Sequence, residues 1–334
     1  MGAVTATTRF GKSDLSVFLK VFSGMVATSY ARKTATDGLI LKRTIQHGSS
    51  VQWPMVGSAK AVYHTVNENI ITDTTGSKYL SDPGAGERVV QVDNPLVAAE
   101  VIASIDEAMS HFEIRSHHAA ALGEALAIEN DLNVLMCVCN GAAKSALLSG
   151  TGAGSWADEG DEVVDADFHT SASSARDTLK SIAQKMNEND VPQDGRVAIV
   201  TPGCYAALAD DVSGIANADI NMNTGGDVGL HRVLRVHGFE IRMSNRIADL
   251  QGYDTDYASS AKTGQRGTDY TYADFSKVSA VVFQKSAIGQ VELGSMALKA
   301  EEKPELLGTF FIASKTVGNG VLRPSACFVV KNAA

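Results

Sequence analysis

Cysteine is scarce in this 334-residue chain: Cys137, Cys139, Cys204 and Cys327 are all it has. They do not form the dense pairs of a small secreted scaffold, so reduced thiols and no disulfide are expected. Long hydrophobic runs are missing as well. No stretch of about 18 apolar residues occurs, and no membrane-spanning helix is expected. The opening MGAVTATTRFGKSDLS lacks the apolar core of a secretory signal, which makes synthesis in the cytoplasm the expectation. Proline is absent between Pro95 and Pro192, leaving room for a long unbroken helix. Absent too are G-x-S-x-G, a phosphate-loop lysine and a C-x-x-C pair, the readiest signatures of a hydrolase, a nucleotidase or a thiol redox protein.

What is present is an ordinary folding composition, 44% hydrophobic and 20% charged, long enough for a full core and about two domains. The net charge of −9 is unevenly spread. Residues 1 to 60 hold eight Lys or Arg against Asp14 and Asp37 alone, which is +6 for that segment and −15 for the rest. Such asymmetry suits contacts between the head of one copy and the body of another, a basic arm on nucleic acid, or plain solvated charge.

Periodicity organises the chain. In LSVFLKVFSGMVATSYARK, Leu15, Phe18, Leu19, Phe22, Met25 and Val26 recur at helical spacing. In WPMVGSAKAVYHTV, Trp53, Met55, Ala61, Tyr63 and Thr65 alternate around a Gly-Ser turn, as in a hairpin, with RVVQVDNP as a returning strand. Residues 105 to 144 are helical in character, with Ile114, His118, Ala121, Leu122, Ala125, Ile128, Leu132, Leu135, Met136 and Cys139 in one broad apolar stripe. A continuous helix from Arg115 to Lys144 would run about 45 Å at 1.5 Å per residue. Gly141 and LLSGTGAGSW then mark its end and a lobe boundary. Beyond it, Ala175, Leu179, Ile182, Ala183 and Met186 make a helical face, and DGRVAIVTPGCYAALAD reads as a buried strand entering a helix, with Thr201 at the cap and Pro202 first inside. HGFEIRMSN alternates as a half-buried strand, residues 249 to 275 read as an exposed loop, and SKVSAVVFQK, QVELG, TFFIASKT and SACFVVK are strand candidates around turns at Val317 to Gly320 and Arg323-Pro324.

Several stretches imitate reactive sites. On a helix His117 and His118 diverge by about 100°, and Cys137 and Cys139 by about 200°, whereas a helix-borne metal site needs ligands at i and i+4. Asp219, Asn221 and Asn223 copy the start of a calcium loop, but Thr224 stands where glycine is needed and Leu230 where a bidentate Glu belongs. Gly150 to Trp156 is glycine-rich, yet it follows a helix and precedes the acidic ADEGDE, a poor place for phosphate. Asp158, Glu159, Asp161 and Glu162 read as a solvated face. No catalytic residue, metal ligand or cofactor site is assigned. What remains is a basic helical arm, a protruding hairpin, a long central helix and a mixed lobe, arms that need a neighbour to cover them.

The arm LSVFLKVFSGMVATSYARK, the hairpin opening QWPMVGSAKAVYH, the segment IDEAMSHFEIRSHHAAALGEALA and the closing GNGVLRPSACFVVK resemble the major capsid proteins of the T-seven-like podoviruses, short-tailed bacteriophages, with marine and cyanobacterial members nearest. The resemblance implies an α+β chain of the Hong Kong 97-type capsid fold. Its parts would be an N-terminal arm (1–50), an E-loop β hairpin (51–94), a P-domain with a long spine helix (95–146), an A-domain (147–283), a P-domain return (284–314) and a C-terminal A-domain strand (315–334). It implies a structural, non-enzymatic subunit that self-assembles into hexamers and pentamers of a T=7 icosahedral shell around double-stranded DNA. Its partners would be other copies, a scaffolding protein, a portal protein and packaged DNA held without sequence specificity, with no membrane. The chain would reside in the virion after synthesis in the host cytoplasm. Under this resemblance Phe18, Leu19 and Phe22 of the arm and Trp53, Met55 and Tyr63 of the E-loop are the candidate contacts between subunits. The alternatives are a nanocompartment shell of the encapsulin type and a cytoplasmic α/β enzyme built around RVAIVTPGCYAAL.

Overall fold

A computed structural model describes residues 12–70, 79, 84–103, 114–144, 159–210, 234–251, 270, 275–303, 305 and 307–332. Helix α1 (Lys12–Lys33) leads into strand β1 (Leu41–Ile45) and a hairpin of β2 (Ser50–Val56) against β3 (Ala85–Gln91). Strand β4 (Leu96–Ala103) precedes the long helix α2 (Ile114–Ala142). A lobe follows with β5 (Asp161–Val164), α3 (Ala172–Glu188), β6 (Arg196–Val200), α4 (Pro202–Asp210), β7 (Leu234–Val236), β8 (Phe239–Met243) and α5 (Arg246–Gln251). The chain ends with β9 (Val278–Gln284), β10 (Ile288–Leu293), β11 (Ala297–Lys303), β12 (Gly308–Lys315), β13 (Val317–Val321) and β14 (Cys327–Lys331).

These strands form four sheets. The largest has six strands in the order β5-β14-β9-β6-β8-β7, and two others have three each, β11-β12-β4 and β1-β10-β13. The hairpin is the fourth. In β1-β10-β13, β1 runs parallel to β10 and β13 antiparallel to it, so segments far apart in sequence share one ladder.

Helix α2 is the axle. Its 29 residues span about 43 Å at 1.5 Å per residue. Every residue from Asn130 to Ala142 is buried, because this half is enclosed by the six-stranded sheet and the helices of the lobe. Apolar side chains dominate this half on every side, as a helix inside a core requires, and the polar Asn130, Asp131, Asn133 and Asn140 are buried with them. The first half carries Ala119, Leu122, Leu126 and Ala127 into a second core with Phe22 and Val26 of α1 and Phe311 of β12. The third core joins Trp53, Val90 and Val92 of the hairpin base to Val291 and Leu322.

Helix α3 buries Ala175, Leu179, Ile182, Ala183 and Met186, the five positions read from periodicity, and Ser171 caps it. Strand β6 is wholly buried and feeds α4, with Pro202 as its first residue.

Four expectations change. Residues 61 to 65 form no strand; the partner of β2 is β3, with Trp53 opposite Arg88 and Met55 opposite Gly86. Residues 317 to 320 are no turn but lie in the buried strand β13. A Cβ on Gly318 would come within 2.0 Å of the Gln91 carbonyl oxygen, so glycine here serves close approach of two backbones. Helix α2 runs one residue past Gly141, so that glycine lies inside the last turn rather than ending the helix. Within the 249–275 loop, Tyr270 is buried, at 7% exposure. Residues 105–113, 150–156 and 219–230, with the helical, phosphate-loop and calcium-loop readings placed on them, lie outside the described residues, as do the side chains of Phe18 and Leu19.

Candidate assembly interface

The helical arm is fixed to its own chain where the sequence permits closest approach. Gly123 of α2 meets α1 there: a Cβ would sit 2.5 Å from the Val26 carbonyl oxygen and 2.9 Å from Ser29 Cβ. The Ser29 hydroxyl donates to the Ala120 carbonyl at 2.8 Å across the same crossing. Phe22 stacks on Phe311, ring centres 4.7 Å apart. Lys33 and Glu124 pair at 3.0 Å, but both are well exposed and the pair contributes little.

Past the end of α1, Asp131 of α2 collects the freed backbone. Its carboxylate accepts from the amides of Ala35 (2.8 Å) and Thr36 (3.2 Å) and from the Thr36 hydroxyl (2.6 Å). Burial pushes this carboxyl above its ordinary range, and those hydrogen bonds hold it back only in part. Tyr30, its phenol pushed up by burial, accepts from Lys315 Nζ at 2.9 Å, and the same ammonium pairs with Glu292 at 2.8 Å.

The hairpin is fixed at its base. Trp53 is 8% and Met55 5% exposed, and Trp53 packs on Val291 and Leu322. Arg43 lies over the Trp53 ring at 4.8 Å, and Arg88 Nε donates to the Val321 carbonyl at 3.1 Å. Beyond Val56 the ladder gains one more bond, from the Gly57 amide to the Gly84 carbonyl at 2.7 Å. The tip is then held by polar contacts of its own. The Tyr79 hydroxyl accepts from the Thr65 amide at 2.9 Å and donates to Glu68, and a His64 ring nitrogen lies 2.8 Å from the Glu68 carbonyl. Asn67 completes the turn at φ 70°, a left-handed value that asparagine tolerates. This arrangement presents Tyr63 at 98% and Val66 at 84% exposure, flanked by Val62 and Ile70.

The sequence candidates therefore separate. Phe22, Trp53 and Met55 are buried within their own chain, while Tyr63 stands free of it. Val66 and Ile70, not among the sequence candidates, share this exposed tip; the only sequence signal for them is an apolar side chain in a polar stretch.

The residues that imitated reactive sites are placed otherwise. His117 is exposed, and His118 Nδ1 lies 2.7 Å from Glu100 of β4. All four cysteines are buried and none is in a disulfide. Burial pushes the thiols of Cys139 and Cys204 up, the latter to about 12, so both stay protonated and unreactive near neutral pH. Asp161 pairs with Lys185 and Glu162 with Lys331, the latter at 2.6 Å. Among the described residues no group of three or more His, Cys, Asp or Glu could hold a metal ion, and no helix is long and apolar enough to cross a membrane.

The model of the Gp10A-like family, described as major capsid protein, matches residues 52–331. Over 95% of its length the chain is 28% identical to the major capsid protein of Escherichia phage T7, covering 92% of that protein. Over 93% it is 30% identical to the major capsid protein of Enterobacteria phage T3, covering 90% of it. The capsid structure of the cyanophage P-SCSP1u superimposes with a TM-score of 0.70 at 26% identity, covering 90% of this chain and 88% of the other.

Proposed function

Because the chain belongs to the Gp10A-like major capsid protein family, a family of self-assembling phage shell subunits with the Hong Kong 97-type fold, we propose that the hairpin tip around Tyr63 is a principal contact between its copies. The observation that carries this reading is the tip itself. Tyr63, Val66, Val62 and Ile70 form an apolar surface held away from the body by the protein's own hydrogen bonds. A monomer gains nothing from that arrangement, whereas a shell subunit buries it against a neighbour.

In this reading α1 and the basic segment behind it are the N-terminal arm, and the hairpin is the E-loop. The sheet β11-β12-β4 with α2 is the P-domain, and the six-stranded sheet with α3, α4 and α5 is the A-domain. Phe22, Trp53 and Met55 set the angle at which arm and hairpin leave the body; Phe18 and Leu19 remain candidate contacts on the arm. Many modest contacts per subunit give a stable closed shell through effective concentration. Hexamers and pentamers of a T=7 shell, assembly on a scaffolding protein in the host cytoplasm, a portal vertex and double-stranded DNA inside complete the proposal, as does the absence of enzymatic turnover.

The test is direct. The purified chain, alone and co-expressed with a scaffolding protein, is examined by size-exclusion chromatography and negative-stain microscopy. Closed particles with capsomer clustering are expected. Small oligomers under every condition would overturn the assembly reading.

A further inference from the structure

Three amides meet in the interior where α2 crosses the sheet β1-β10-β13. Gln290 of β10 and Asn319 of β13 are directly opposite each other in the ladder, and Asn130 of α2 faces them. None is more than 2% exposed. Gln290 Nε2 donates to Asn130 Oδ1 and to Asn319 Oδ1, each at 2.9 Å. Both protons of that amide are thereby used. The remaining halves of two side chains are not: Gln290 Oε1, an acceptor, and Asn319 Nδ2, a donor, have no hydrogen-bond partner among the described residues.

Buried polar atoms are nearly always paired, so two unmet groups on adjacent side chains call for an explanation. Exchanging the nitrogen and oxygen of both amides does not supply one. Asn319 would then donate to Gln290, but Gln290 Oε1 would be set against Asn130 Oδ1, acceptor on acceptor, and the two unmet positions would persist with donor and acceptor reversed. A cation would suit the acceptor and offend the donor; an anion would do the opposite. The ligand that satisfies one of each, in either orientation, is a small neutral molecule that both donates and accepts.

We propose that Gln290 and Asn319 hold a single buried water molecule, donating to Gln290 Oε1 and accepting from Asn319 Nδ2. The site lies in a longer polar seam. The Asn319 backbone amide donates to the Tyr270 hydroxyl at 2.8 Å, and that hydroxyl donates to Asp93 at 2.6 Å, just beyond β3. Burial pushes the Tyr270 phenol well up, so it remains the donor to Asp93 across the ordinary pH range. The seam thus ties α2, two strands of the central sheet, the distant Tyr270 and the root of the hairpin, with the water meeting its last unpaired groups.

The test is cryo-electron microscopy of assembled wild-type particles at a resolution that shows ordered water. An isolated peak within hydrogen-bonding distance of both Gln290 Oε1 and Asn319 Nδ2 is expected. Amides turned onto protein partners, with no peak between them, would overturn the proposal. In Gln290→Met, which keeps side-chain length and removes the acceptor, the peak should vanish from otherwise unchanged particles; a peak that persists there shows that Gln290 does not hold it. The wild-type map decides alone if that variant does not fold.

Discussion

Asp131 and Asp165 are both carboxylates that tie one element to another, yet acid should treat them oppositely. Asp165, beyond β5, accepts from the Ser174 hydroxyl at 2.8 Å and the Thr178 hydroxyl at 2.6 Å on α3. Its partial burial raises its pKa, but these bonds together with the Asp167 amide outweigh that and hold it below the ordinary range. The stability it contributes is present above its unfolded value and is lost as pH falls through its folded value. Asp131 is raised by burial, so its contribution is full below the unfolded value and declines as pH rises through the folded one. Hydrogen exchange followed from pH 6 down to about pH 3 should therefore show amides of α3 losing protection, while those of residues 35 and 36 do not lose protection through Asp131. At Gly123 the constraint is space. Gly123→Ala must displace α1, because the nearest atom is a backbone carbonyl oxygen, and a loss of about 1–3 kcal/mol is expected in denaturant melts. Earlier proteolytic cleavage within 12–33 would locate the damage in the arm.

Element by element, long regular patterns proved the most legible. The face of α3 is legible from apolar spacing alone, since a helix that covers a core must repeat its contacts every three or four residues; on α2 the stripe holds at Leu122, Leu132, Leu135, Met136 and Cys139, but Ala121 and Ala125 are exposed and Ala119, Leu126 and Ala127 are buried in their place. The strands not read from sequence are β1, β4, β5, β7 and β11; among them LVAAEVIA is nearly all apolar, DEVV and LRV are short, and ALKAEEK reads as well for a helix. The glycines of β13 imitated a turn because nothing local reveals that another backbone presses against Gly318. The same limit applied to the candidate contacts. Spacing marked Phe22 as one apolar face of a helix, but whether its own chain or another covers that face is a tertiary fact. Since Phe22 is 1% exposed against Phe311, Phe22→Ala should cost about 3–5 kcal/mol in the isolated subunit. Chemical denaturation of unassembled protein measures this, and a loss under about 1 kcal/mol would mean that α1 is not docked in solution.

At the scale of the whole molecule, the distinction that matters is between residues that build the subunit and residues that join it to others. The family could be read from the sequence because its quoted segments span the chain in one order. The contact surface proposed for the hairpin is legible only in part, because Val66 and Ile70 join Tyr63 through a tip fixed by Tyr79 and Glu68 some distance along the chain. Tyr63 and Val66 touch almost nothing of their own subunit, so Tyr63→Ser with Val66→Ser should change its stability by no more than about 0.5 kcal/mol. Assembly should respond far more strongly, because each subunit loses the contact and a closed shell multiplies a modest loss over all of its copies. The double variant is therefore expected to melt like the wild type when unassembled, yet to sediment mainly as subunits or small oligomers under conditions where the wild type forms particles. Glu68→Gln with Tyr79→Phe provides the complementary case, leaving the apolar side chains in place but loosening the turn that presents them. Its particles should form slowly rather than fail to form. Normal yields and rates for both variants would move the principal contact away from the hairpin tip and toward the arm.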